Sequence, residues 1–350
     1  MTREIDTAMP PRLLVSPDSF KGTLTSAEVA AAIAAGARAG GAEADECPVA
    51  DGGEGTVDVL AAALGAEPRT TVCHDPLGRD VEAGWAWLAR SRTALLEMAS
   101  ASGLALLDPA EREAEAASSA GTGELLLAAR DAGAERAILA IGGTATSDGG
   151  VGAVAALERA GGPGAMRIVL ACDVRIPFEA AAEIFGPQKG ASPDAVVRLT
   201  ARLNELAGEL PRDPRGREMT GAGGGIAGAL WALYGAEPRR GAALVLDAVG
   251  FARRLAAADA VVVGEGHLDA QTREGKIVAE ILARAGAKPV HAVVGGRDAA
   301  AEHGGWGDLA SVRLAGTAGA LRAAGAEIAA LVAAEARGKA LPPGHSSSTL

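Results

Sequence analysis

Leu13-Leu14-Val15-Ser16-Pro17-Asp18-Ser19-Phe20-Lys21-Gly22-Thr23 is the stretch that decides the fold class. Leu13-Leu14-Val15 is a short apolar run of buried-strand type, and it ends in the polar loop 17–22. A helix is expected next, because Thr25 and Glu28 have capping-box spacing and Val29 and Ile33 share a helical face. The order strand, polar loop, helix puts the loop at the carboxyl end of the strand, where open α/β sheets hold their ligands. The pattern recurs along the chain. Residues 137–141 are apolar and run into GGTATSDGG (142–150), and 168–171 precede Cys172-Asp173. Residues 260–263 precede GEGHLDAQTREGK (264–276), followed by an expected helix over about 277–285; 289–294 and 312–314 read as further strands. Alternating strands and helices imply an α/β protein with substantial parallel sheet. Residues 66–97 differ: Pro68, a Thr-Thr-Val run, Pro76-Leu77-Gly78 and the apolar 85–88 suggest antiparallel strands and a second domain. The Pro/Arg/Asp-rich segment 211–217 reads as an exposed loop, and 337–350 as a disordered tail.

Lysine and glutamine mark the chemistry. The chain has five lysines against 28 arginines, and two glutamines. Lys21, Lys189 and Lys276 fall in PDSFKGT (17–23), FGPQKGA (185–191) and GEGHLDAQTREGK, and Gln188 and Gln271 fall in the last two. Where Arg is the default cation, Lys beside glycine suggests a compact point charge aimed at an anion. A net charge of −11 argues against general nucleic-acid binding but not against a local anion site. The three cysteines are far apart and form no CxxC, so neither a zinc site nor a disulfide framework is indicated. No apolar run has membrane-spanning length and the first residues carry no signal-peptide stretch, so the expectation is a cytoplasmic protein with no membrane partner.

Phosphoryl transfer needs charge neutralised, a metal held and a hydroxyl aligned with the leaving group. Asp51 in ADGGEGT (50–56), with Gly52, Gly53 and Glu54, suits Mg²⁺ held directly or through water, or else a simple turn. Asp148 in GGTATSDGG, with Thr144, Thr146 and Ser147, fits an anion nest or a helix N-cap. Gly223, Gly224 and Gly225 in GAGGGIAG (221–228) let backbone amides approach phosphate, or let helices pack closely. Asp173, just past a strand, has the position of a functional carboxylate. Glu265, Asp269, Gln271, Thr272 and Lys276 are too polar for a mere connection between strand and helix. A Walker-type GxxxxGK[ST] loop is excluded.

Together these clusters resemble the glycerate kinase family of bacterial type. PDSFK at 17–21, ADGGEGT at 50–56, GTGEL at 121–125, the GG(S/T)AT(N/S)DGG element at 142–150, FGPQKGA and GEGxxDxQTxxGK occur in unbroken order over about 12–296. The resemblance implies ATP-dependent phosphorylation of D-glycerate, with 2-phosphoglycerate favoured over 3-phosphoglycerate, and Mg²⁺ with ATP. It implies two α/β domains with a cleft between them: a flavodoxin-like domain from both chain ends (1–65 plus 241–336), and an inserted domain (66–240). With the polar loops, it points to Asp18, Lys21, Asp173, Asp269 and Lys276 as catalytic. It points to Ser19, Asp51, Gly52, Gly53, Glu54, Thr144, Thr146, Ser147, Asp148, Gln188, Lys189, Gly223, Gly224, Gly225, Glu265, Gln271 and Thr272 as contacts for substrate or phosphate. Asp51 and Asp269 are the expected metal ligands, and a monomer or homodimer is expected.

Three departures bear on local contacts. Residues 151–170 are shorter than in the family, with Gly161-Gly162-Pro163-Gly164 at their centre. The family's CDVxNPL reads Cys172-Asp173-Val174-Arg175-Ile176-Pro177-Phe178, so Ile176 stands at the Asn position, and the following glycine-rich segment is reduced to 179–184. Two other readings stay open: a kinase for another short hydroxy acid, and a non-catalytic binding relative that kept the fold.

Overall fold

A computed structural model of the chain describes residues 9–268, 277–297 and 308–339. Its strands are β1 (Arg12–Pro17), β2 (Glu43–Glu46), β3 (Glu67–His74), β4 (Asp80–Leu88), β5 (Thr93–Glu97), β6 (Arg136–Ala140), β7 (Arg167–Ala171), β8 (Glu237–Arg239), β9 (Ala260–Leu268), β10 (Val290–Arg297) and β11 (Ser311–Leu314). The helices are α1 (Ser26–Ala39), α2 (Thr56–Leu64), α3 (Ala99–Ser102), α4 (Ala120–Asp131), α5 (Val151–Arg159), α6 (Ala181–Phe185), α7 (Pro193–Glu209), α8 (Ile226–Tyr234), α9 (Gly241–Ala248), α10 (Phe251–Ala257), α11 (Ile277–Ala285) and α12 (Ala318–Lys339). The chain gathers into two compact units, Met1–Val49 with Gly250–Leu350, and Ala50–Val249. The division therefore falls at 49/50 and 249/250 instead of 65/66 and 240/241. The reason is packing: α2 lies on β4, β5 and α9, which ties both helices to the second unit. The tail expected from 337 is corrected as well, since α12 continues through Lys339.

The first unit holds a five-stranded sheet of order β11-β10-β9-β1-β2, every neighbouring pair parallel. Counted among themselves these strands run 2-1-3-4-5, the flavodoxin-like order, with the topological switch between β1 and β9. Leu13, Leu14 and Val15, and Val261, Val262 and Val263, are all buried, as strands covered on both faces require. Helix α1 starts where its capping box places it. The Thr25 Oγ1 accepts from Glu28 N–H at 3.2 Å, and Glu28 Oε2 accepts from Thr25 N–H at 2.8 Å.

Helices α1 and α12 approach backbone to backbone. A Cβ on Gly36 would lie 1.8 Å from the Arg322 carbonyl oxygen, and one on Gly325 would lie 2.1 Å from that of Ile33. Gly36→Ala gains helix propensity of about 1 kcal/mol but forces the helices apart, so a net loss of about 1–3 kcal/mol is expected. The measurement is the urea midpoint at constant m. An unchanged midpoint would show that the two helices separate without cost.

The second unit holds a six-stranded sheet of order β3-β4-β5-β6-β7-β8. β3, β4 and β5 pair antiparallel, as the turn-rich 66–97 segment suggests, and β5 to β8 pair parallel. Its core lies between this sheet and α4, α5 and α8, with Leu96, Leu125, Leu139, Leu157, Leu170, Ile226 and Leu230 buried in it. The parallel arrangement brings four carboxyl ends to one edge: Glu97 closing β5, the loop 141–150 after β6, Cys172-Asp173 after β7, and Arg240 after β8.

Candidate active site

In the first unit, the polar loop after β1 lies at the switch point. Pro17 is in register with Gly264 of β9, and the Asp18 N–H donates to the Gly264 carbonyl at 2.9 Å. Asp18 is buried and its Oδ1 accepts from the Ser19 N–H at 2.6 Å. Phe20 turns into the core, and its backbone exchanges two hydrogen bonds with Leu24. That closed turn lifts Lys21 to the surface, with Gly22 at φ +76°. The glycines of GEG let the neighbouring loop approach. A Cβ on Gly264 would meet Pro17 Cβ at 2.6 Å, and one on Gly266 would lie 3.3 Å from Phe20 Cα and 3.5 Å from Lys21 N. Glu265 stands between these two glycines, half-buried beside the Lys21 turn. Asp269, Gln271, Thr272 and Lys276 lie outside the described residues.

In the second unit, ADGGEGT threads along the carboxyl edge. Asp51 is half-buried, and its Oδ1 accepts from the Gly53 N–H at 3.0 Å. Gly52, at φ +91°, has no room for a side chain between the Ala171 carbonyl and Gly241 Cα, both 3.0 Å from its Cβ position. A Cβ on Gly142 would lie 2.4 Å from Gly53 Cα. The loop is thus pinned between the ends of β6 and β7 and the first residue of α9. Glu54 is exposed.

Asp173 sits at the same edge. Its Oδ2 accepts from the Ala242 N–H at 2.9 Å, at the start of α9, while Oδ1 is buried with no hydrogen-bond partner. Burial pushes this carboxyl up to about 7, the Asp51 charge adds to the rise, and the Ala242 N–H and Arg240 oppose it. Glu97, on the next strand but one, is also pushed up to about 7 by burial, and the charges of Asp58 and Glu54 add to it, against the opposing N–H groups of Gly55 and Thr56. Glu97 stands outside the glycine-bearing motifs, so no motif marks it. The available signal was positional: Glu97 ends the apolar run 94–96 as Asp173 follows 168–171.

The remaining expected contacts form one loop system. Asp148 is buried and saturated: Oδ2 accepts from Ser119 N–H, Ser119 Oγ–H and Gly152 N–H at 2.8–3.0 Å, and Oδ1 from Gly150 N–H at 3.0 Å. It caps α5 and ties it to the start of α4. Thr144, Thr146 and Ser147 are buried, and the hydroxyls of Thr146 and Ser147 have no hydrogen-bond partner. The turn 187–189 sends Gln188 outward and Lys189 inward. Gly223, Gly224 and Gly225 all have positive φ and all serve close approach. Their Cβ positions fall 2.5 Å from the Ile141 side chain, 2.0 Å from the Thr146 carbonyl and 2.9 Å from Gly149 Cα.

The profile described as the glycerate kinase family matches residues 13–160 and 162–338. The chain belongs to the glycerate kinase family. It is 38% identical over 305 residues to the glycerate kinase of Bacillus subtilis (strain 168), covering 76% of this chain and 79% of that protein. It is 36% identical over 323 residues to the glycerate 2-kinase of Escherichia coli (strain K12), covering 81% and 85%. A Salmonella typhimurium LT2 crystal structure assigned as glycerate kinase 2 superposes with a TM-score of 0.77 at 33% identity, covering 94% of this chain and 100% of that one.

The departures from the family pattern are absorbed by packing. Ile176 packs against the buried cluster of Phe178, Leu199 and Leu203. Its carbonyl accepts from the Gly221 N–H at 3.1 Å. The short 151–170 connection closes through Arg130, whose guanidinium donates to the carbonyls of Ala160 and Gly162 at 2.8 and 2.7 Å.

Proposed function

We propose that this chain is an ATP-dependent D-glycerate kinase that forms 2-phosphoglycerate. Asp173 carries the reading: a carboxylate held on one oxygen by a helix N-terminus, with its other oxygen unpartnered and its proton affinity raised towards neutrality. In this reading Asp173 takes the proton of the glycerate hydroxyl as that oxygen bonds to the γ-phosphorus of ATP. The bond from phosphorus to the bridging oxygen breaks and ADP leaves. Lys21 and Asp18, in the loop after β1, contact an anionic group of a substrate in this reading. Mg²⁺ suits this chain, because it needs only one or two carboxylates when phosphates supply the rest. Among the described residues no group of three or more His, Cys, Asp or Glu is placed to cage a metal. Asp51 or Asp269 would hold Mg²⁺, which supplies neutralisation of phosphate charge. A cytoplasmic setting fits three cysteines that are all free and buried, and no helix among the described residues is long and apolar enough to cross a membrane.

The test is ADP release with and without D-glycerate, with phosphorus NMR on the product. Glycerate-dependent release and a phosphomonoester at C2 are expected. Release that ignores glycerate would overturn the activity, and a phosphate at C3 would overturn the position.

A further inference from the structure

We infer that Lys189 is a positioning residue, whose ammonium holds the 142–150 loop in place from inside the protein and makes no contact with substrate or phosphate. The inference rests on the kinase reading for its activity arm only.

Lys189 is 3% exposed. Its Nζ donates to the Thr146 carbonyl at 2.5 Å and to Thr144 Oγ1 at 3.4 Å. A buried ammonium must be paired or neutralised. Burial lowers its proton affinity, to a pKa of about 8, and Asp148 is the charge that opposes this. Asp148 does not touch it: both Asp148 oxygens are taken by Ser119, Gly150 and Gly152. The pair therefore acts through the loop between them, Asp148 fixing its far end and Lys189 its middle.

The Thr146 carbonyl is the point where the motifs meet. Lys189 reaches it from one segment, and Gly224 approaches it so closely that a Cβ would lie 2.0 Å away. The Gly149 N–H donates to the Gly224 carbonyl at 3.0 Å, locking the two loops. Upstream, the same loop presents Gly142 against Gly53 and Gly143 near Glu54, so the position of ADGGEGT depends on it. A side chain spent on a backbone carbonyl at this depth has its work inside the protein. The glycines around it are required for contact between backbones.

The test separates holding from binding. Lys189→Met removes the ammonium at similar length, and Lys189→Gln keeps a neutral donor. Calorimetry would give affinities for D-glycerate and for an inert ATP analogue, steady-state kinetics would give kcat, and amide exchange would report on 142–153. For Lys189→Met the expectation is both affinities within about threefold, kcat down at least about tenfold, and faster exchange confined to 142–153. Lys189→Gln should recover most of both losses, because a neutral donor still reaches the carbonyl. If Lys189→Met does not fold, Gly224→Ala, which displaces the same carbonyl from the other side, should give the same exchange signature. A loss of affinity above about thirtyfold for either ligand would make Lys189 a ligand-binding residue and overturn the inference. Unchanged exchange over 142–153 in either the Met or the Ala variant would overturn it too, whatever the activity. If the wild type is not a glycerate kinase, the exchange arm still decides the structural claim.

Discussion

Asp173→Asn is expected to remove most turnover and, above neutral pH, to make the protein more stable. As general base, Asp173 should be worth about 10²–10⁴ in kcat. Its carboxyl must be ionised to work, so wild-type kcat/KM should climb as pH rises through about 7 and level off above it. That limb should vanish in the Asn variant. Glu97 is raised to the same range, so Glu97→Gln is the control: it should leave the limb in place if Asp173 is its source. The stability effect has the opposite sign. A carboxyl whose folded pKa lies above its unfolded one binds more protons when folded. Its contribution is fully present below the unfolded value of 3.8 and is lost as pH rises through about 7. At pH 8 the wild type therefore carries a buried, poorly paired charge that Asn does not. The rise to about 7 caps the difference at roughly 4 kcal/mol. Thermal midpoints at pH 4 and pH 8 check this. A variant whose advantage does not grow between the two would show that Asp173 is not held in the protonated form by burial.

Local patterns are legible in the sequence, and depth in the fold is not. Strand patterns such as 13–15 and 260–263 are legible because burial on both faces demands continuous apolar runs, and both occur as strands. The Thr25–Glu28 capping box is legible because it is local. Depth is not local. Lys189 and Lys21 both sit beside glycine, yet one is buried on a carbonyl and the other lies on an exposed turn. The close neighbours of Gly223, Gly224 and Gly225 include Ile141, Thr146 and Gly149, far away in the chain, which no local pattern reveals. Glu97 is not legible as a site residue because its polar surroundings are supplied by 54–58 through the fold, not by its own flanks. β2 has no apolar alternation in Glu43–Glu46 and exists because its backbone pairs with β1.

Lys21→Ala is expected to cut kcat about 10²–10³-fold, equivalent to roughly 3–4 kcal/mol of barrier, with little change in stability. The turn that carries Lys21 is set by the Phe20–Leu24 backbone pair and by Phe20 in the core, neither of which involves the lysine side chain. Because Lys21 is exposed, where polar and ionic contacts contribute little, its removal should shift the folding free energy by no more than about 1 kcal/mol. The turn is at the β1/β9 switch point, where α/β sheets of this order bind their ligands. An ammonium there can follow a phosphoryl group as charge moves onto the leaving oxygen, a contact stronger in the transition state than in the ground state. Lys21→Arg should therefore recover only part of kcat, because a planar fork replaces a point charge at the end of a longer stem. Steady-state rates with a thermal melt for each variant would decide it. If Lys21→Ala keeps near-normal kcat/KM, the anion contact lies elsewhere. If its rate falls only in step with its melting temperature, the lysine supports the turn and not the chemistry.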